Sequence, residues 1–281
     1  MGTSIGIAIP VCIKSAEQLL QLCRALESIS MQTILPDSIV LSVELASSPI
    51  DSILTGFEKL PLKVIHNYST AGIAENSNNA ARNLSTDYIH FLHQDDLIIN
   101  KEFIGNLHSL LTRSEPIWVL LQGRTESGET GFAIYDQYTV LGFNRVGGPS
   151  SLVVRASQFS EFNSAYTMMV DVVLFEELFR RNGTPVVLDG IQIEYGNPST
   201  RVSRNLPPQI ICSEILKIKR HFDLEPEFII SMVRNRALDI HHRFLVLSSL
   251  QDEFDWSILM KSRLLFRLKW DSMIQRGLKY F

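Results

Sequence analysis

Two adjacent carboxylates, Asp95 and Asp96, lie shortly after the mainly apolar run 88–92, separated from it by His93 and Gln94. Neighbouring negative charges repel one another unless something offsets them, and hard oxygen ligands of this kind suit Mg²⁺ or Mn²⁺. Such a cation would bridge two phosphates and would stabilise the charge that develops on a departing diphosphate. The alternative is that the pair caps a helix starting near Lys101, or simply forms a turn.

A third carboxylate, Asp171, is the one charge inside the apolar run 169–175. Burying a carboxylate is costly unless it has a partner or a purpose, which makes Asp171 a candidate functional residue. The alternative is an acidic residue in the first turn of a helix, where it interacts favourably with the helix dipole.

The first third of the chain, which must position the acidic pair, alternates strand and helix signals. The apolar run 5–9 is ended by Pro10 and predicts a buried parallel strand. Ser15 predicts a helix cap, because Gln18 follows three residues on and the next apolar residues have helical spacing. Further strands are predicted at 38–45, 62–65 and 88–92, and a further helix at 74–84.

This alternation predicts an α/β fold, Rossmann-like, with a mainly parallel sheet and flanking helices. In such sheets ligands bind beyond the carboxyl ends of the strands. Pro10, Glu44 and the pair Asp95 and Asp96 each lie at such an end. Three separate segments are therefore expected to meet at one edge of the sheet.

The second half of the chain has a looser pattern. Glycines interrupt residues 121–148, where we expect loops and short strands, while a helix is predicted at 170–181 and a short strand at 185–188. Beyond Pro207 the pattern is helical almost to the end. We therefore predict a first domain, residues 1–206, and a helical C-terminal extension, residues 207–281.

The composition excludes several classes of protein. With 45% hydrophobic and 20% charged residues, the 281-residue chain fits a globular protein rather than a disordered one. A net charge of −4 gives no basic footprint for nucleic acid. The three cysteines have no metal-binding spacing, and no targeting or membrane-spanning run is evident. We expect a cytoplasmic protein. A peripheral position at the inner face of a membrane is the alternative that we keep open.

The stretch 72–96 resembles the core signature of family 2 glycosyltransferases. It has Gly72, the segment Ala81-Arg82-Asn83, and a predicted strand that runs into His93-Gln94-Asp95-Asp96. The opening run 7–11 resembles the first strand of that family, and the stretch 31–40 resembles its passage from helix to strand. The resemblance covers roughly residues 5 to 200 and implies the GT-A fold.

The resemblance implies a donor site. Asp95 matches the carboxylate that binds the metal, Mn²⁺ or Mg²⁺, and Asp96 matches the neighbour that contacts the donor sugar or supports the metal. Glu44 matches an acidic residue that reads the nucleoside. The implied donor-binding set is completed by Pro10, Gly72 and Arg82.

One position of this set has a structural alternative to its implied role, and two positions depart from the family pattern. The guanidinium fork of Arg82 suits phosphate or sugar oxygens, and its alternative is a structural ion pair. His93 stands where the family often has an Asp that meets the ribose. A neutral imidazole can donate to a hydroxyl or bind a metal, so His93 joins the expected donor contacts. Val170 stands where the family usually has a Glu, directly before the residue that acts as the catalytic base.

The acceptor side is also implied by the resemblance. Asp171 matches an Asp at the start of a helix that acts as the base in inverting transfer, opposite the departing diphosphate. Gly148 and Ser150 lie in a stretch that resembles the acceptor loop, where glycine backbone can approach a sugar closely. The alternative for that stretch is a turn. Arg201 or Arg204 is a further candidate for the diphosphate.

Residues 261–281 combine six basic residues with one acidic residue and several large apolar ones. A basic amphipathic helix of this kind can lie on an anionic membrane surface. The alternative, which we favour, is a helix that packs on its own domain or on a second copy of the chain.

Together these features predict a hexosyltransferase-like enzyme, inverting and metal-assisted. It would move a sugar from a nucleotide-diphosphate donor to a hydroxyl of a glycan or lipid-linked acceptor, in the synthesis of surface polysaccharide or another glycan. The main alternative is a nucleotide-sugar-binding protein with weak or no catalysis. A nucleotidyltransferase is less favoured because residues 11–15 contain no glycine, and a Rossmann dehydrogenase because no GxGxxG follows the first strand.

Overall fold

The computed structural model describes residues 3–45, 50–68, 72–130, 135, 146–196 and 206–224. The chain divides into two compact units. The first consists of Met1–Thr139 with Asn144–Arg201, and the second of Val140–Phe143 with Val202–Phe281. The sheet and the site residues discussed below belong to the first unit.

The described part of the first unit has eight strands and five helices. The strands are β1 (Ile5–Val11), β2 (Ser38–Val43), β3 (Leu62–His66), β4 (Tyr88–Phe91), β5 (Leu97–Ile98), β6 (Trp118–Thr125), β7 (Leu152–Arg155) and β8 (Val186–Tyr195). The helices are α1 (Ala16–Ser30), α2 (Asp51–Leu54), α3 (Gly72–Arg82), α4 (Phe103–Ser114) and α5 (Val170–Asn182).

All eight strands form one sheet, in the order β3-β2-β1-β4-β7-β6-β8-β5. β3, β2, β1 and β4 are mutually parallel, and β6 is parallel to β8. β7 runs antiparallel to both β4 and β6, and β5 runs antiparallel to β8. Most strands therefore point the same way, which confirms the predicted α/β fold with a mainly parallel sheet and flanking helices.

The central strand β1 is an unbroken buried run because it lies between two parallel strands. Ile7 and Ile9 belong to the same buried cluster as Leu22 and Leu26 of α1. Burying each such side chain contributes about 1.5–3 kcal/mol, so this core anchors the carboxyl end of β1 firmly.

The start of α1 follows the predicted cap. The Ser15 hydroxyl accepts the backbone N–H of Gln18 at 3.3 Å. The Gln18 side chain in turn accepts the backbone N–H of Lys14 at 2.7 Å, one residue before the cap. Two N–H groups at the helix start thereby gain side-chain acceptors.

Helix α3 buries amides rather than large apolar side chains. The Asn78 amide donates to the carbonyl of Phe162 at 2.9 Å and accepts the Phe162 N–H at 2.8 Å. Buried polar groups are tolerated when they are hydrogen-bonded in this way. The pairing ties α3 to the segment that leads to α5.

Strands β6, β7 and β8 differ from the sequence-based prediction. β6 extends into a region where we expected loops and short strands, and β7 was not predicted. β8 continues to Tyr195, beyond the predicted end at residue 188, because its interruption is a bulge. The register with β6 shifts from Leu121↔Leu188 to Gln122↔Ile191, and Gly190 within the bulge has a φ of +80°.

The described part of the second unit is helix α6 (Pro208–Phe222). Its buried side chains include Ile211, Ile215 and Ile218, which share one helical face. The predicted domain boundary at Pro207 stays a prediction, and the compact units divide at residue 201. The basic stretch 261–281 lies outside the described residues. No helix among the described residues is long and apolar enough to span a membrane.

Candidate active site

The carboxyl ends of the parallel strands form one edge of the sheet. Beyond the last paired residues of β1 and β2, the N–H of Glu44 donates to the carbonyl of Val11 at 2.9 Å. The N–H of Asn67, directly after β3, donates in the same way to Val43 at 2.9 Å. Glu44 and Asn67 therefore lie side by side, at the edge where ligands bind in sheets of this type.

Strand β4 leaves the ladder with β1 earlier, and Pro10 explains why. The N–H of Leu92 donates to the carbonyl of Ala8 at 3.0 Å. The next rung of a parallel ladder would need an N–H at residue 10, which proline lacks. The chain after Leu92 therefore diverges from β1 and turns at the edge. Pro10 itself is buried within β1, and its predicted donor contact stays a prediction.

Residues 93–96 form the turn that carries the acidic pair, and we call this segment the acidic turn. The N–H of Asp96 donates to the carbonyl of His93 at 3.1 Å. Side-chain ligand atoms of His93, Asp95 and Asp96 lie within 4.8 Å of one another. Carboxylate oxygens suit Mg²⁺ and Mn²⁺, and imidazole is also a ligand for transition metals. The chemistry and spacing of these donors fit a divalent cation.

The two carboxylates of the turn have different surroundings. Asp96 is buried, and one of its oxygens accepts the Ser150 hydroxyl at 2.5 Å. Its other oxygen accepts the backbone N–H of Gly196 at 2.9 Å. Asp95 is only half-buried, and no residue in the described ranges donates a hydrogen bond to its carboxylate. Asp95 is therefore the carboxylate of the pair that is available to a ligand.

Gln94 attaches the acidic turn to the end of β1. Its side-chain oxygen accepts the N–H of Cys12 at 2.7 Å, and its side-chain nitrogen donates to the carbonyl of the same residue at 3.0 Å. Both backbone groups of Cys12 are satisfied by one amide, which replaces the strand partner that β4 no longer provides.

Glu44 is buried next to this attachment point. The Cys12 thiol lies 3.7 Å from a carboxylate oxygen of Glu44. Burial raises the pKa of the Cys12 thiol, and the negative charge of Glu44 raises it further. Cys12 therefore stays a neutral thiol that donates weakly to Glu44. A carboxylate in this place can accept N–H groups of a bound ligand.

A chain of side-chain amides follows the same edge. Asn67 donates to Asn76 at 2.8 Å, and Asn76 donates to the carbonyl of Val11 at 3.2 Å. Asn79 donates to Asn67 at 2.8 Å and accepts a hydrogen bond from Arg82 at 2.8 Å. These hydrogen-bonded side chains join the ends of β1 and β3 to helix α3.

The guanidinium of Arg82 is held by two carboxylates. It binds Glu161 through two nitrogens and Glu75 at 2.6 Å. These hydrogen bonds, that to Glu161 first, raise the pKa of Arg82 above its usual range and lower that of Glu161. The structure thus contains the ion pair that the sequence left open as the alternative. A donor contact by Arg82 stays a prediction, as does one by Gly72, which opens α3 with a φ of +68°.

Asp171 lies in the first turn of α5 and is half-buried. Further along this helix, Phe175 stacks on Trp118 at the start of β6, with ring centroids 6.4 Å apart. The carbonyl of Gly183, just after the helix, accepts the Trp118 indole N–H at 3.1 Å. The C-terminal end of α5 therefore sits at the amino end of β6. Asp171 lies at the opposite, N-terminal end of the helix, and its predicted role as the base stays a prediction.

The glycine-bearing stretch before β7 packs against the end of β8. Gly147 has a φ of +95°, and a Cβ there would lie 2.2 Å from the Tyr195 hydroxyl oxygen. That hydroxyl bonds to Ser151 at 2.5 Å, and burial raises the pKa of Tyr195 to about 12. Around Gly148, by contrast, an added Cβ would meet nothing within 4 Å. Ser150 is fully buried, so its hydroxyl supports the acidic turn in this structure.

Several residues that build the site were not assigned from the sequence, namely Gln94, Asn67, Asn76, Tyr195 and Gly196. Single amides and glycines of this kind carry no pattern that distinguishes a packing role from an exposed turn. The two hydrogen bonds between the Gln94 side chain and the Cys12 backbone form where the ladder between β1 and β4 ends early. That early end is visible only in three dimensions. Arg201 and Arg204 lie outside the described residues.

The chain matches no protein-family model, and no curated protein sequence matches it. Its fold matches solved structures. S. aureus TarS 1-349 in complex with UDP is 14% identical with a TM-score of 0.60, over 90% of this chain and 73% of that chain. The same protein with UDP-GlcNAc gives 13% and 0.60, over 88% and 71%.

A mannosyltransferase also has a similar fold. The mannosyltransferase PcManGT from Pyrobaculum calidifontis, in complex with GDP-Man and Mn²⁺, is 12% identical with a TM-score of 0.61. The match covers 95% of this chain and 79% of that chain. At such low identity the likeness shows the fold, which is the GT-A fold of these glycosyltransferases, as the sequence predicted.

Proposed function

We propose that this protein is a glycosyltransferase that uses a nucleotide-diphosphate sugar. The observation that carries the proposal is the acidic turn, held at the carboxyl edge of a GT-A sheet with Asp95 open to a ligand. The solved structures of the same fold bind UDP, UDP-GlcNAc or GDP-Man. A donor of that chemistry fits the polar groups along this edge.

On the donor side, Asp95 would hold Mn²⁺ or Mg²⁺, with His93 beside it. A cation there offsets the charge of the donor diphosphate and of the departing nucleoside diphosphate. Glu44, which is buried at the end of β2, would accept N–H groups of the nucleobase. Asp96 contributes by shaping the turn, because both its oxygens already accept hydrogen bonds.

On the acceptor side, we assign Asp171 as the base. It takes the proton of an acceptor hydroxyl as that oxygen forms a bond to the anomeric carbon. The bond from that carbon to the diphosphate breaks on the opposite face, so the configuration inverts. Gly148, whose surroundings are open, would contact the acceptor.

Assignment to family 2, a hexose as the transferred sugar, and a role in surface polysaccharide or glycan synthesis are parts of the same proposal. They rest on the resemblance of residues 72–96 and on the likeness to TarS and the mannosyltransferase. Contact with a membrane surface or with a second copy through residues 207–281 is proposed on the basic, amphipathic sequence of 261–281.

A nucleotide-sugar-binding protein without catalysis is the second candidate, favoured by His93 in the acidic turn and Val170 before Asp171. Turnover separates the two. UDP-GlcNAc and GDP-mannose are each incubated with the protein and Mn²⁺, and release of the nucleoside diphosphate is measured. We expect release from one donor, lost in Asp95→Ala. Tight binding of a donor with no release would favour the binding protein.

A further inference from the structure

We propose that Ser150 is a positioning residue that holds the acidic turn in the geometry its ligand requires. The effect of this positioning on ligand affinity rests on the proposed function.

The Ser150 hydroxyl makes two contacts with the acidic turn at once. It donates to a carboxylate oxygen of Asp96 at 2.5 Å, and it accepts the backbone N–H of His93 at 2.9 Å. The hydroxyl thus bridges the first and last residues of the turn. Asp95 lies between these two fixed points, so its position follows from theirs.

The backbone of Ser150 is itself held in place. Its carbonyl accepts the ring N–H of His90 at 3.0 Å, and His90 packs edge-on against Phe103. Burial lowers the pKa of His90 to about 4, so the ring stays neutral with one N–H to donate. The pair His90↔Val153 joins β4 to β7 just beyond this point. Ser150 therefore presents its hydroxyl from a rigid support.

A second support reaches the turn from β8. The N–H of Gly196 donates to the other oxygen of Asp96, and a Cβ on Gly196 would lie 2.2 Å from the carbonyl oxygen of Asp95. The end of β8 therefore packs directly on the backbone of the turn. Ser150 and Gly196 together orient the Asp96 carboxylate. Ser150 does so through its side-chain hydroxyl, and Gly196 through its backbone N–H.

Loss of the hydroxyl leaves two polar groups of the turn without this partner, the buried Asp96 oxygen and the partly buried His93 N–H. A buried group that loses its partner favours rearrangement towards water, so the turn should open more often. Residues that support metal ligands in this indirect way typically change metal affinity by about 10- to 100-fold.

The test compares Ser150→Ala with Ser151→Ala. Ser151 is an equally buried serine whose hydroxyl donates to the carbonyl of Val146 at 2.7 Å and bonds to the Tyr195 hydroxyl at 2.5 Å. Ser151→Ala therefore removes a neighbouring buried hydroxyl whose hydrogen bonds go to residues outside 93–96. Ser150→Thr retains a hydroxyl and serves as the rescue variant. If Ser150→Ala does not fold, Ser150→Cys takes its place, because a thiol is a weak donor of similar size.

Two readouts are measured on the full chain. The first is amide hydrogen exchange of peptides that cover residues 93–96. The second is the affinity for UDP, GDP and dTDP in the presence of Mn²⁺. We expect faster exchange in the turn and at least about tenfold weaker nucleotide binding in Ser150→Ala. Ser150→Thr should recover part of both, and Ser151→Ala should change neither, even if it lowers stability.

Equal effects of Ser150→Ala and Ser151→Ala on both readouts would overturn the proposal, because they would indicate a general packing role. Unchanged exchange at residues 93–96 in Ser150→Ala would also overturn it. If the unaltered chain binds none of UDP, GDP and dTDP, the proposed function fails instead. The exchange data then still decide whether Ser150 positions the turn.

Discussion

The side chains of the acidic turn differ in role because they differ in partners. Gln94 is used to attach the turn to Cys12, and Asp96 is used by Ser150 and Gly196. Asp95 has no such partner among the described residues. A pair of adjacent carboxylates thus resolves into one that is held by the fold and one that stays available to a ligand, which residue types alone do not distinguish.

Asp171 is the residue to which we assign proton transfer, and Asp171→Asn tests this assignment. The amide cannot accept the proton, so we expect the rate of donor turnover to fall by about 10²- to 10⁴-fold. Donor affinity should change little, because the donor site is built by other elements. Turnover and calorimetric affinity are measured with the same donor and Mn²⁺.

The matched control for this variant is Asp189→Asn, which makes the same change at an exposed position of β8. It should retain full turnover. Undiminished turnover in Asp171→Asn would remove Asp171 from the mechanism and leave the fold assignment intact.

His90 predicts a pH dependence of stability. Burial lowers its pKa from 6.5 to about 4, so the unfolded chain binds a proton before the folded protein does as the pH falls. Its contribution is therefore fully present above pH 6.5 and is lost as the pH falls towards 4. The free energy of unfolding should drop by about 3 kcal/mol over that interval from this group.

Urea unfolding between pH 4 and 7 measures this slope. His90→Gln should flatten it, whereas His108→Gln, at an exposed position of α4, should leave it unchanged. A slope that is the same in His90→Gln and in the unaltered chain would mean that His90 is protonated without cost in the fold.

At the scale of elements, the site depends on where strands stop. The ladder between β1 and β4 ends where Pro10 cannot donate, and the acidic turn begins directly afterwards. β7 then enters antiparallel beside β4 and brings Ser150 under the turn. β8 extends past its bulge and brings Gly196 over it. One proline, one antiparallel strand and one bulge together position the carboxylates.

Gly196→Ala tests the contact between β8 and the acidic turn. Its Cβ would lie 2.2 Å from the backbone oxygen of Asp95, which no side-chain rotation relieves. We expect a loss of about 1–3 kcal/mol in the free energy of unfolding, together with weaker Mn²⁺-dependent nucleotide binding. Gly56→Ala is the control, because its Cβ would meet its nearest atom at 3.5 Å, an ordinary contact.

Thermal and urea unfolding, with calorimetry, report both effects. If Gly196→Ala behaves like Gly56→Ala, the end of β8 adjusts easily, and its contact with Asp95 does not constrain the turn.

Elements whose sequence signals lie within their own residues can be predicted from the sequence. The buried parallel strands β1, β2 and β4 are apolar runs ended by polar or proline residues, and the start of α1 has its own cap, so sequence predicts them well. The bulge in β8 is different. Asp189 and Gly190 look like the end of a strand, yet pairing with β6 resumes beyond them at Ile191.

The features of the site likewise divide into those that the sequence predicts and those that it does not. The placement of Glu44 and the acidic turn at one edge of the sheet was predicted, because it depends only on the strands being parallel. The burial of Ser150 and the ion pairs of Arg82 were not resolved by the sequence. Both depend on contacts with residues far away in the chain, Asp96 for Ser150 and Glu161 for Arg82.

At the scale of the whole molecule, the first unit has the GT-A fold and carries every site residue that the structure describes. The matched solved structures hold UDP, UDP-GlcNAc or GDP-Man, and one also holds Mn²⁺. For this chain, the central claim is that a nucleoside diphosphate and a divalent cation bind together at Asp95.

The most direct test is calorimetric titration with UDP, GDP and dTDP, each in Mn²⁺ and in EDTA. We predict that one of them binds in Mn²⁺, loses at least about tenfold in affinity in EDTA, and does not bind Asp95→Ala. Asp189→Asn, changed at an exposed position, should bind as the unaltered chain does. Binding of none of the three, or equal binding by Asp95→Ala, would contradict the account and leave the acidic turn as a structural feature of the fold.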